Sequence, residues 1–404
     1  MAEAAHVAAV IPGERSRMRM AARRRLLTIG HSYAVGVNRR LPQALAARGD
    51  WDVTVAAPQR FRGDFREHEL RAEPGERVTL EPLPIHLARP VQLMLYGRQL
   101  RRLLQRPWDL VHCWQEPYVA AAWQVAQWTH PQTPLVFATF QNISKNYPPP
   151  FRWIERRTLM RADGVIAFGE TVRAVLEPRH PRPSTIRTIP PGVDTRHFAP
   201  DTAARRRIRE SLGWDDRTPV VGFLGRFVTE KGVGWLTTVL DGVAGPWRAL
   251  FVGAGPLESD LRAWAARWPG RVAVATTVTH DDVPQWLNAM DLLCAPSLTS
   301  SRWREQFGRM LIEAFACEVP VVASSSGEIP HVVSDAGLVV AEGDVQRWRE
   351  AISALLRDEN LRRTLGARGR RRAIAEYDWA AIANRHAAFF DELLAGGQSI
   401  AASA

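Results

Sequence analysis

The chain has 404 residues, enough for two or three domains at roughly 100–200 residues each. Its 46% hydrophobic and 24% charged residues mark a folded chain, and no run of about 18 apolar residues offers a transmembrane helix. The net charge of +11 suits an anionic partner (a nucleotide, a lipid headgroup or a nucleic acid) or simply an arginine-rich surface.

Residues 1–24, rich in Ala and Arg, lack the continuous apolar core of a signal peptide and read as a flexible lead-in. From Arg25 short apolar runs alternate with helical patterns. The strands expected first are Leu26–Ile29, Val53–Ala56, Val78–Leu80, Leu110–Cys113, Leu135–Ala138, Gly164–Ala167 and Thr185–Ile189. Helical stretches lie between them at Arg39–Ala47, Val91–Gln105, Tyr118–Gln127, Arg152–Met160 and Thr171–Leu176, and Pro58–Arg77 reads as a loop excursion. Runs without polar alternation indicate strands buried on both faces, hence a parallel sheet covered by helices. Ile189 to Pro200, with its prolines and glycine, cannot continue a ladder and marks a crossing.

The pattern then restarts. Strands are expected at Val220–Leu224, Ala249–Val252, Val272–Ala275, Leu292–Ala295, Val319–Ala323 and Leu338–Val340. The intervening helices are Lys231–Asp241, Leu257–Arg267, Val283–Ala289, Gly308–Ala316 and Gly327–Val333, and three more helices end the chain. The fold class is therefore α/β, two Rossmann-like doubly wound parallel-sheet domains facing across a cleft. The division expected is a lead-in over 1–24, a first domain over 25–190, a second over 191–375, and over 376–404 a helix crossing back to the first domain, followed by a tail. Cys113, Cys294 and Cys317 show no metal-ligand spacing and read as buried thiols in a reducing compartment.

Two clusters carry chemistry. Gly225-Arg226-Phe-Val-Thr-Glu230-Lys231-Gly232 follows the first strand of the second half. Arg as a fork and Lys as a point charge suit a diphosphate there, although two solvated surface cations would read the same. Glu305 and Glu313 stand eight apart with Gly308 between them, at an expected helix start whose free N–H groups favour an anion. An acidic cap and an ordinary helix-surface glutamate are the plainer alternative.

Together with Val252-Gly253-Ala254-Gly255-Pro256, Pro296-Ser297 and the Pro190–Pro200 segment, these clusters resemble the retaining GT-B glycosyltransferases of family GT4. The resemblance runs from Leu26 to about Leu394 and is sharpest after Ile189. It implies a sugar nucleotide as donor substrate, no cofactor and no metal. Arg226 and Lys231 would grip the donor diphosphate, and Glu305 the transferred sugar with help from backbone N–H groups of Phe307 and Gly308. Glu313 would hold the ribose, and Gly255 and the Thr277–Val278 segment would lie near the base. Gly36, in a weak version of the family's glycine-rich turn, would approach the diphosphate.

After the Leu135–Ala138 strand many members carry a histidine, whereas this chain has Gln141 and Asn142, neither a general base near neutral pH. Proton acceptance then falls to the departing phosphate oxygen or to Glu116, just past a strand's carboxyl end, with His31 a further acceptor-side residue. The Arg98–Arg106 and Phe151–Arg161 stretches form basic amphipathic helices that can rest on anionic lipid or pack as ordinary surface helices. The partners expected are the nucleotide sugar and a glycan or lipid-linked acceptor, at a cytoplasmic position that allows peripheral contact with the inner face of an anionic membrane. No RNP, KH or zinc motif supports nucleic-acid binding. The rivals are an epimerase or hydrolase of sugar nucleotides, a non-catalytic module on the same fold, and a dinucleotide oxidoreductase. The last lacks the third glycine after Gly253 and Gly255.

Overall fold

The structure, a computed structural model, describes residues 23–62 and 67–401. Of the lead-in expected over 1–24, all but Arg23 and Arg24 lie outside the described residues, and Arg24 already opens the first strand.

The first sheet is built from β1 (Arg24–Ile29), β2 (Trp51–Pro58), β3 (Thr79–Leu83), β4 (Leu110–Cys113), β5 (Leu135–Thr139), β6 (Gly164–Ala167) and β7 (Ile186–Thr188). All neighbours are parallel, in the order β7-β6-β5-β4-β1-β2-β3. The second holds β8 (Val220–Leu224), β9 (Arg248–Val252), β10 (Val272–Ala275), β11 (Leu292–Ala295), β12 (Val321–Ser324) and β13 (Gly337–Val340), parallel, in the order β10-β9-β8-β11-β12-β13. In each sheet the strand order reverses beside its first strand, and ligands of open α/β sheets bind beyond the carboxyl ends at such a point. β4, β5, β6, β11 and β12 are buried at every position, as strands sandwiched between helices must be.

The single helix expected over Val91–Gln105 is broken into three pieces. A 3-10 turn at Val91–Leu93 leads into Leu95–Tyr96, which pairs antiparallel with Ile85–His86, and a helix spans only Gln99–Leu104. Gly97 forces the break: its N–H bonds to Pro84 O at 2.8 Å, and a Cβ there would meet the Pro84 ring at 2.8 Å. The Pro58–Arg77 excursion carries a short antiparallel ribbon, Arg60–Arg62 with Glu67–Glu69. It is clamped at its far end by a buried ion pair, Arg39 Nε to Glu76 at 2.5 Å.

Two segments join the sheets, and they lie side by side. Val193 N donates to Tyr377 O at 2.8 Å, and Trp379 N donates to Val193 O at 3.2 Å. Beyond that point the helix Trp379–Ala401 packs on the first sheet, not the second. Ile382, Ala383, Ala387, Phe389 and Phe390 share a core with Leu26, Val53, Val55 and Trp51. Burying the larger of these side chains contributes about 2 kcal/mol each. Gly164 makes room for this helix, because a Cβ there would sit 2.5 Å from the Phe389 ring. Among the described residues no helix is long and apolar enough to cross a membrane.

Candidate functional site

The carboxyl ends of both sheets open on one cavity of about 830 Å³. Its second-sheet wall is shaped by glycines. β8 leaves through Gly225, at φ +153°, into Arg226. The neighbouring turn at Gly253 and Gly255 presses on that exit: a Cβ on Gly253 would lie 1.8 Å from Gly225 O, and one on Gly255 2.5 Å from Phe227 O. A 3-10 turn at Thr229–Lys231 follows, then Gly232 at φ +69° caps the Val233–Leu240 helix. Lys231 therefore stands before that helix and not in its first turn, where the dipole would oppose a cation. Gly232 passes so near Pro296 O that a Cβ would lie at 2.0 Å, which brings Lys231 alongside the β11 exit.

Lys231 and Glu305 meet there. Lys231 Nζ donates to Glu305 Oε2 at 2.5 Å, and Ser297 Oγ donates to the same oxygen at 2.8 Å. Glu305 Oε1 has no hydrogen bond among the described residues. Glu305 lies in the loop before the Arg309–Ala316 helix, whose N-cap is Gly308 at φ +83°. The backbone N–H groups of Phe307 and Gly308 make no hydrogen bond among the described residues. Glu313 is buried on the helix flank, 3.6 Å from Arg309 Nε, and burial pushes its carboxyl above the usual range despite that cation. Arg226 is exposed on the cavity wall, its guanidinium free of any ion pair among the described residues. Arg226, Lys231, Glu305, Phe307, Gly308 and Glu313 thus line one cavity, as do Glu116 and His31 from the first sheet.

Glu116 accepts from Thr139 Oγ1 at 2.6 Å and from Phe140 N at 2.7 Å, so both its oxygens are engaged. Burial holds its carboxyl above the ordinary range in spite of these donors. Burial likewise lowers His31 to about 4, so that its ring is neutral at physiological pH.

Five of the expected residues do not line the cavity. Gly36 is covered by Glu73, whose carboxylate would lie 1.5 Å from an added Cβ. Gly255 packs under the Arg226–Phe227 turn as described, and Val278 packs against the second-domain core. Gln141 donates to Tyr147 Oη at 3.3 Å, and Asn142 Nδ2 donates to Glu305 O at 2.8 Å. Conversely, Arg40, Trp114, His197, His280, Asp281 and Arg309 line the cavity although no role was expected of them; His197 falls inside the Pro190–Pro200 segment and Arg309 between Glu305 and Glu313. In the loop where Thr277 and Val278 were expected near the base, His280 and Asp281 are the residues that reach the cavity. Arg309 would have been found by its place in the first turn after Gly308.

A model of glycosyl transferases group 1 matches residues 218–358, and one of glycosyltransferase family 4 matches residues 36–197. Over 354 residues the chain is 30% identical to the GDP-mannose-dependent alpha-(1-6)-phosphatidylinositol monomannoside mannosyltransferase of Mycolicibacterium smegmatis, a match covering 85% of this chain and 90% of that one. Sucrose-phosphate synthase from Thermosynechococcus elongatus superposes with a TM-score of 0.71 at 22% identity, covering 93% of this chain and 100% of that one. Anabaena HepE in complex with UDP gives 0.72 at 18% identity, covering 91% and 100%. These two likenesses carry the fold, and the mannosyltransferase match carries the family. With two doubly wound sheets closing on a shared cavity and family models matching both halves, the chain is a GT-B glycosyltransferase and belongs to glycosyltransferase family 4.

Proposed function

We propose that this glycosyltransferase moves a hexose, with retention at the anomeric carbon, from a nucleoside-diphosphate donor to a lipid-linked, glycan or small-molecule hydroxyl. GDP-mannose is the first donor to test, because the relative just described is named for it. The observation that carries the reading is the Lys231–Glu305 contact, in one cavity with Arg226, Glu313 and the free N–H groups of Phe307 and Gly308. Arg226 and Lys231 hold the diphosphate, Glu305 Oε1 and the two N–H groups hold sugar hydroxyls, and Glu313 holds the ribose.

In the reaction the bond from the anomeric carbon to the diphosphate oxygen breaks. The acceptor oxygen attacks from the face the diphosphate leaves. Charge develops on the departing diphosphate, where fixed cations are worth most. Both oxygens of Glu116 already order the Thr139–Phe140 turn, so the acceptor's proton passes to the departing phosphate oxygen.

The outer face of the first domain supports a membrane-borne acceptor. Leu100, Leu103 and Leu104 point inward with Leu159, while Arg98, Arg101, Arg102, Arg152, Arg156 and Arg157 stand exposed. Trp153 and Met160, on the same helix as Arg152, Arg156 and Arg157, are 49% and 54% exposed, a composition suited to an anionic bilayer surface.

A panel of nucleotide sugars, scored for nucleotide release with and without acceptor lipids, tests the reading. Release that depends on acceptor, with an α-linked product, is expected. Release indifferent to acceptor would instead favour the hydrolase or epimerase. Glu305→Gln and Lys231→Ala should each lower transfer by about 10²-fold or more, while Glu116→Gln keeps most of it. Undiminished turnover in the first two removes the site.

A further inference from the structure

Glu328 follows β12 in the second domain, at the N-cap of the Ile329–Val333 helix. Its side chain does not serve that helix. It crosses the cleft and accepts from Glu170 N at 2.8 Å, Thr171 N at 2.8 Å and Thr171 Oγ1 at 2.5 Å, all in the first domain. The residue is 3% exposed, and Gly169 is what admits it: a Cβ there would lie 2.3 Å from the carboxylate carbon. Three donors converge on one carboxylate, with no cation among the described residues to hold it.

The backbone of the same residue holds Glu305. Glu328 N donates to Glu305 O at 3.1 Å. Asn142 Nδ2, buried and reaching over from the first domain, donates to that same oxygen at 2.8 Å. Gly327, at φ +54°, lets the two loops touch, since a Cβ there would sit 1.9 Å from Glu305 O. A further crossing, Gln306 Nε2 to Phe140 O at 3.2 Å, lies next to it. Opening the cleft would break every one of these cross-domain bonds together. The Glu305 side chain, by contrast, is fixed from within the second domain, by Lys231 and Ser297.

We infer that Glu328 and Asn142 form a latch across the cleft that poses the Glu305 loop when the domains close, which makes both of them positioning residues for sugar transfer. The closed state gains the latch bonds, and the open state regains water on the same groups. The balance between two such states is what a single side chain can shift. A glutamine at 328 would turn an N–H₂ toward the N–H of Glu170 or Thr171, so the latch needs the carboxylate. The effect on transfer rests on the role proposed above for Glu305, whereas the effect on closure does not.

Small-angle scattering of the full chain, with and without nucleoside diphosphate, reads closure directly. Glu328→Gln should give a larger radius of gyration than wild type. Thr171→Val should move it the same way by less, and Thr171→Ser should restore it. The double variant should be no more open than Glu328→Gln alone, because both break one latch. In transfer assays Glu328→Gln and Asn142→Ala should lower kcat by about tenfold, as small misplacements of a reacting group do. Nucleoside diphosphate affinity should stay within about twofold, since its groups lie in the second domain. Scattering curves of Glu328→Gln and Thr171→Val that superimpose on wild type would overturn the latch, as would a double variant whose opening is the sum of the two. A wild-type chain that closes through the latch yet transfers from no donor would sink the proposed function alone.

Discussion

His112 and His386 face each other across the seam between β4 and the Trp379–Ala401 helix, ring centroids 6.0 Å apart and both fully buried. Burial lowers His386 to about 4 and His112 well below its ordinary value. A histidine whose folded value lies below its unfolded 6.5 binds fewer protons when folded. Its stabilisation is whole above pH 6.5 and is lost as pH falls toward 4. His386 alone should therefore remove about 2–3 kcal/mol of stability between pH 7.5 and 4.5. Urea unfolding of wild type and His386→Leu at the two pH values checks this, and a variant as acid-sensitive as wild type would refute it. At this scale the sequence spoke unevenly. Lys231, Glu305 and Glu313 were legible because each sits at a fixed spacing from a strand exit or helix start. Glu328 was not, and Asn142 was expected on the acceptor side and not as a contact to the Glu305 loop, because their partners lie 157 and 163 residues away and only the packing of two domains brings them together.

Among the turns, the glycines separate conformational need from spatial need. Gly213 and Gly232 share φ +69°, yet an added Cβ meets nothing at Gly213 and the Pro296 carbonyl at Gly232. Gly213→Ala should cost about 1 kcal/mol of stability and leave transfer intact. Gly232→Ala carries the same strain and also pushes Lys231 from Glu305, so transfer should fall at least about tenfold. Equal losses of activity in the two variants would show that the contact with Pro296 does not matter. The buried strands were readable to within a residue or two because fully sandwiched strands are continuous apolar runs, as at Leu110–Cys113 and Leu292–Ala295. The Val91–Gln105 stretch misled because its leucines recur at helical spacing, while Gly97 answers to Pro84, outside any local pattern.

Across the whole molecule the basic, aromatic-bearing face of the first domain lies outside the cleft. If it rests on a bilayer, vesicles containing anionic lipid should pellet the protein at low salt and release it as salt screens the arginines. Trp153→Ala with Arg156→Glu should abolish pelleting without changing turnover on a soluble acceptor. Equal pelleting on neutral vesicles would refute the electrostatic part of that contact. The return of the last helix to the first sheet bears on how the chain is made. A ribosome delivers β1 to β7 long before Ile382, Phe389 and Phe390 exist to roof them. Until those three side chains emerge, that flank of the sheet has only the partial cover of Leu41 and Leu45 from the Arg40–Ala47 helix, so the lobe translated first completes its packing after the second.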